Sequence, residues 1–247
     1  MFPIRDHNPS GRTPYVVYGL IIANVVVFLS YAGLLGDQRA LSQFYYHWAI
    51  IPARLASGEG YGTLISSMFL HGGFMHLAGN MLFLWIFGDN LEDEMGHLKF
   101  LAFYLVCGIG AGLIHVLSAP WSTIPTVGAS GAIAGVMGGY LLLFPKARVD
   151  ILLILIVYIR VFPIPAWIML AIWFGMQFVG GLGSNPEAGG VAYWAHAGGF
   201  VIGLALTMPL WLRLGAAGFW NVTHGHPPHP EARYRISPSR IPRVPRQ

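Results

Sequence analysis

YVVYGLIIANVVVFLSYAGLL, residues Tyr15–Leu35, carries no charged side chain in 21 positions. A helix of about 20 apolar residues is long enough to cross the roughly 30 Å hydrocarbon core of a bilayer. This stretch therefore reads as a membrane span. It is long for the apolar region of a signal peptide, lacks a small-residue cleavage site, and is followed by more runs of the same kind. These lie at about Gly73–Gly88, Leu98–Ser118, Val127–Phe144, Ala166–Gly181 and Val191–Leu212. Ile151–Val161 is also apolar but short, and Pro163 and Pro165 follow it. It reads as an interfacial segment or an extension of the fifth span. No internal repeat is evident.

Composition agrees. Of 247 residues, 55% are hydrophobic and 10% charged, against about 25% charged in a soluble domain. The mean hydropathy is +0.59. These values exclude a disordered chain, a coiled coil, a collagen and a disulfide-built secreted scaffold. A lone cysteine, Cys107, has no internal partner and reads as a small packing residue.

The net charge of +4 could suggest nucleic acid, but its distribution suggests membrane orientation. With both termini cytoplasmic, the inner segments hold Arg5, Arg12, Lys99, Lys146, Arg148, Arg160, Arg213, Arg233, Arg235, Arg240, Arg243 and Arg246. The outer segments hold only Arg39 and Arg54. The organisation that follows is a cytoplasmic segment 1–14, a six-helix membrane domain 15–213, and a disordered cytoplasmic tail 214–247 rich in Pro, Arg and His. The fold class is all-α, a polytopic bundle.

Ionisable and polar groups inside spans are expensive. Three places hold them: His76 with Asn80, Ser130 in Gly-Ala-Ser-Gly, and His196 in Ala-His-Ala-Gly-Gly. Spans two, four and six share one direction, and each group lies near the start of its span. At 1.5 Å per residue, all three fall within roughly 10 Å of the outer edge. A shared depth permits contact without establishing it. A serine needs a base to become a nucleophile, and imidazole is the usual one. Ser130 and His196 supply that pair. His76 and Asn80, four apart, project from one helix face, and both can donate to a developing oxyanion. The Ser130 backbone, at a helix start, adds another donor. No carboxylate lies at this depth, so the pair is a dyad. Each residue also has a plainer reading. Gly128, Gly131 and Gly135, and Gly199 with Gly203, have the spacing of close helix packing, and His76 and Asn80 could be polar glue between helices. His115 reads as a packing or interfacial residue. His224, His226 and His229 read as a solvated tail, and no metal site or cofactor is implied.

His71-Gly-Gly-Phe-Met-His76-Leu-Ala-Gly-Asn80 resembles the His-x-x-x-Asn segment of rhomboid intramembrane serine proteases. Gly128-Ala-Ser130-Gly131 is similar to their Gly-x-Ser-Gly motif, and Ala195-His196-Ala-Gly-Gly199 to their sixth-helix segment. The three fall in the family's order across about Tyr15 to Leu212. The resemblance implies a six-transmembrane-helix rhomboid-like bundle. It implies Ser130 as nucleophile, His196 as general base, and His76, Asn80 and the Ser130 backbone as oxyanion donors. Gly128, Gly131 and Gly199 would give structural support, and Glu92 falls where the family often has a structural glutamate. A Trp-Arg pair found in some members' first loop is absent. Ala134 stands where some carry a tyrosine that packs on the histidine, so the group that orients His196 is left open.

The expected activity is endopeptidase cleavage of other proteins' transmembrane segments near the outer face, through an acyl-enzyme. The implied partners are transmembrane protein substrates and the lipid bilayer, and not nucleic acid; no sequence feature specifies an oligomeric state. The rivals are a catalytically silent rhomboid-like binder and a transporter, which would be expected to show inverted repeats or broken midplane helices. The first 14 residues, short and containing Asp6, do not resemble an organelle transit sequence, so a bacterial plasma membrane is expected.

Overall fold

The structure, a computed structural model, describes residues 2–155, 158–185 and 188–232. Its helices are α1 (Tyr15–Tyr31), α2 (Gln38–Trp48), α3 (Pro52–Ala56), α4 (Thr63–Ser66), α5 (Phe74–Met95), α6 (His97–Ser118), α7 (Ser130–Leu143), α8 (Ala166–Gly183), α9 (Tyr193–Arg213) and α10 (Ala217–Thr223). A small antiparallel sheet is formed by β1 (Phe2–Asp6), β2 (Arg148–Leu155) and β3 (Tyr158–Pro165), in that spatial order.

Six helices, α1 and α5–α9, stand where six spans were expected. Among the described residues, four segments are long and apolar enough to cross a bilayer alone: Tyr15–Gly36, His97–Ser118, Ala166–Gly183 and Tyr193–Arg213. α5 meets the requirement jointly with Thr63–Phe69, from which it is bent by 96°. It continues past the expected Gly88, through Asp89 and Glu92, to Met95. Gly96 (φ +77°) then reverses the chain into α6 in one residue, a conformation that suits glycine.

The fourth span is shorter than expected. Fourteen residues at 1.5 Å each give about 21 Å. α7 is tolerated because it is the central element: eleven of its residues are buried, so protein rather than lipid surrounds most of it. Its small residues permit that position. A Cβ on Gly199 would lie 2.1 Å from the Gly131 carbonyl oxygen, one on Gly203 2.0 Å from that of Gly135, and one on Gly139 2.6 Å from Thr207 Oγ1. Each pairing advances four residues on both helices, so α7 and α9 run parallel with backbones touching. α5 runs the same way, since the Gly128 end of α7 meets His76 and the Gly139 end meets Leu91. Cys107 is fully buried against Gly135, the packing role expected of it.

Ile151–Val161 is not an extension of α8. Its described residues, 151–155 and 158–161, lie in the antiparallel strands β2 and β3, whose register runs from Arg148↔Pro165 to Leu155↔Tyr158. A short apolar run has no periodicity to separate strand from helix, and this one is rich in β-branched residues. Pro163 sits on the outer strand β3, where a missing N–H is tolerated. Val149 and Ile151 face the core, while Asp150 receives Arg5 Nε at 2.6 Å and contacts His7 Nε2 at 2.7 Å.

The N-terminal segment is built into the fold through β1. Glu92, nearly fully buried, accepts the Val16 and Val17 N–H groups at 2.9 and 2.8 Å and also contacts His97. It thus caps α1 from another helix, satisfying donors that a helix start leaves open. Part of the tail expected to be disordered is also folded. Trp220 of α10 donates to the Leu142 carbonyl at 3.0 Å, and His229 contacts Asp93 at 2.8 Å. Residues 233–247 of the expected tail lie outside the described residues.

Candidate active site

The parallel glycine contact sets Ser130, the first residue of α7, beside His196, in the first turn of α9. His196 Nε2 is 2.7 Å from Ser130 Oγ. Both residues are part-buried and line an open cavity of about 1010 Å³ that also reaches His76, Asn80, His115 and Trp173. The four polar residues singled out from the apolar runs therefore meet in one space.

Gly128 shapes the approach. Its φ of +134° is a region that side chains avoid, and a Cβ there would lie 3.0 Å from His76 Nε2 and 3.4 Å from Ser130 Oγ. The bare backbone leaves room around both atoms. The Gly128 N–H donates to Ser67 O at 3.0 Å, fixing this loop to the turn before α5.

His76 has a defined tautomer. The Gly72 backbone N–H, which can only donate, reaches His76 Nδ1 at 3.3 Å. Nδ1 therefore accepts, and Nε2 carries the hydrogen toward Gly128 and Ser130. Asn80 is 8% exposed and its Nδ2 has no hydrogen-bond partner among the described residues. A buried donor without a partner is costly in a finished fold and useful where a partner arrives with a ligand. No side chain caps the start of α7, so its first-turn N–H groups also face this region.

Of the expected support residues, Gly131 packs on Ala111 and Gly199 on the Gly131 carbonyl. Glu92 lies at the far end of α5, tied to α1 and not to the cavity.

Two neighbours, Gln177 and Trp173, escaped the sequence reading, and a third, His115, was read only as a packing or interfacial residue. Gln177 of α8 places Oε1 2.8 Å from His196 Nδ1. Trp173, one turn earlier, stacks on the His196 ring with centroids 5.9 Å apart and an interplanar angle of 28°. His115 lines the cavity and contacts Thr126 Oγ1 at 2.8 Å. Gln177 was detectable as an amide alone in an apolar run.

Residues 58–213 match the family model described as Rhomboid domain. Rhomboid protein 1, mitochondrial, of Saccharomyces cerevisiae is 31% identical over 221 residues, covering 83% of this chain and 58% of that protein. Rhomboid protease GluP of Bacillus subtilis is 32% identical over 165 residues, 66% of this chain and 29% of that protein. Presenilin-associated rhomboid-like protein, mitochondrial, of Homo sapiens is 26% identical over 218 residues, 85% and 48%. The chain thus spans at most 58% of each of these relatives. Mitochondrial proteins stand among them, so the bacterial plasma membrane expected from the sequence is not supported; the chain is a multi-pass membrane protein.

Proposed function

Because the chain belongs to the rhomboid family, we propose that it is a serine-type endopeptidase that cuts transmembrane segments of other membrane proteins. One observation carries this reading: an imidazole nitrogen 2.7 Å from a serine hydroxyl, at the wall of an open cavity inside a membrane bundle.

Ser130 Oγ attacks the substrate carbonyl carbon as His196 Nε2 takes its proton. The carbonyl oxygen becomes an oxyanion. His76 Nε2–H, Asn80 Nδ2–H and the backbone N–H at the start of α7 stabilise it, each donor being worth about 3–4 kcal/mol in the transition state. The tetrahedral intermediate collapses as the imidazolium gives its proton to the leaving amine. The acyl group stays on Ser130. Water entering through the cavity is deprotonated by His196 and releases the acid.

The substrate class follows from the bilayer. An intact helix occupies its own carbonyls and excludes attack. A segment that unwinds near the Ser130 end, which the basic-residue distribution assigns to the outer face, presents a free carbonyl.

The test is labelling of the purified full chain by a fluorophosphonate. Wild type should label, and Ser130→Ala and His196→Ala should not. A folded but unreactive wild type would favour a silent binder. Equal labelling of Ser130→Ala would assign the reaction to another serine.

A further inference from the structure

The His196 ring has two nitrogens, and only one tautomer leaves Nε2 free to take a proton from Ser130. Two hydrogen bonds made by one amide fix which tautomer is present. Gln177 Nε2 donates to the Trp173 carbonyl oxygen, one turn back on α8, at 3.3 Å. A carbonyl oxygen can only accept, so the amide nitrogen must face it. The amide oxygen is then the atom 2.8 Å from His196 Nδ1. An amide oxygen can only accept, so Nδ1 must carry the hydrogen. Nε2 is left bare, 2.7 Å from Ser130 Oγ, and the serine hydroxyl donates to it. The chain of bonds reads Ser130 O–H to Nε2, then Nδ1–H to Gln177 Oε1, then Gln177 N–H to Trp173 O.

Burial supports a specific placement. α8 buries only Ala166, Leu170, Gln177 and Gly181. Gln177 is the one polar side chain among them, 8% exposed. Trp173 from the same helix stacks on the imidazole and limits its rotation about χ2. Orientation thus comes from α8, while Ala134, fully buried on α7, offers no polar atom.

We propose that Gln177 is the positioning residue of the Ser130–His196 pair, holding the imidazole in its Nδ1–H tautomer from the neighbouring helix α8. This rests on the protease reading above. A neutral amide fills the place that a carboxylate fills in a three-residue constellation. It orients the ring without supplying a charge to stabilise the imidazolium.

The test compares wild type, Gln177→Met, Gln177→Glu and Ser130→Ala as purified full chains. Gln177→Met keeps the volume and removes the acceptor. It should slow fluorophosphonate labelling by at least about tenfold at an unchanged melting temperature. Gln177→Glu restores the acceptor, so it should recover most of the rate. Its added negative charge should move the acid limb of the pH–rate profile to higher pH. Nitrogen-15 chemical shifts of His196 give a readout independent of turnover, with protonated Nδ1 in wild type and a mixture of tautomers in Gln177→Met. Gln177→Met with the wild-type rate, pH profile and shifts would overturn the proposal. So would equal impairment of Met and Glu variants at a lowered melting temperature, the signature of packing alone. Failure of wild type to label while the tautomer responds to Gln177→Met would overturn the protease reading and leave the positioning role standing.

Discussion

At the residue scale, Asn80 and Asn90 differ in what meets the amide nitrogen. Asn80 Nδ2 is buried with no partner among the described residues, whereas Asn90, on the same helix, uses its Nδ2 to reach Asp6, Asn8 and Asp89. An oxyanion in the cavity would complete Asn80, and only in the transition state. Asn80→Ala should therefore lower kcat by roughly 100-fold with little change in KM. Its melting temperature should hold or rise, because an unsatisfied donor is removed. Steady-state kinetics with a transmembrane-peptide substrate, alongside thermal unfolding, check both halves; an unchanged kcat would remove Asn80 from the oxyanion role. The meeting of Asn80, His76, Ser130 and His196 in one cavity was foreshadowed because polar groups stand out against apolar runs and share a depth. Gln177 carries the same signal but no motif spacing, and a single amide does not name its partner. Its meaning depends on α8 lying beside α9, which periodicity and charge do not encode.

At the element scale, the α7–α9 crossing is the feature that assembles the pair. A Cβ on Gly203 would lie 2.0 Å from the Gly135 carbonyl oxygen and 2.4 Å from its Cα. Backbone atoms cannot rotate away, so Gly203→Ala must push the helices apart. The expected loss is about 1–3 kcal/mol of stability, with slower labelling because His196 rides on α9. Gly175→Ala on α8 is the contrast. A Cβ there meets nothing within 4 Å, and alanine in a helix interior is favoured over glycine by up to about 1 kcal/mol. Melting temperatures of the two variants should move in opposite directions; a fall in both would deny the crossing its special role. The spacing of Gly128, Gly131 and Gly135 and of Gly199 and Gly203 made close packing of the two helices legible, but not the register at which they meet. The β2–β3 pair was illegible for a different reason. Its partner strand β1 lies about 145 residues away, as the Arg5–Asp150 bond shows, and local sequence cannot register such pairing.

At the scale of the whole molecule, α5 joins two polar ends. His76 and Asn80 stand at its start, and Asn90, Glu92 and Asp93 at its end; 22 residues at 1.5 Å per residue put about 33 Å between its termini. The far end gathers the N-terminal segment, α1 and the folded part of the tail through Asp6, Glu92 and Asp93. Within this hub, Asp6 and Asp150 of neighbouring strands titrate in opposite senses. Burial pushes the Asp6 carboxyl up from 3.8 to about 8, with the negative charge of Asp89 adding to the rise and hydrogen bonds from Tyr140 and Asn8 opposing it. At Asp150 burial also raises, but bonds from His7 and Arg5 more than offset it and hold the carboxyl below its ordinary value. The Asp150 contribution is therefore present at neutral pH and disappears only in acid. Asp6 acts in a separate window. Unfolded, it ionises near 3.8; folded, it keeps its proton to about 8. The folded state binds the extra proton, so stability must fall as pH climbs from about 4 to about 8. Asp6→Asn retains an oxygen to accept from Asn90 Nδ2, now 3.0 Å from Asp6 Oδ2, and removes the ionisation. Its melting temperature should match wild type near pH 4 and exceed it increasingly toward pH 8, because only wild type must hold an unfavourable proton or an unfavourable charge. Parallel melting curves for the two proteins across that range would mean that Asp6 ionises freely and that the hub does not exclude water from it.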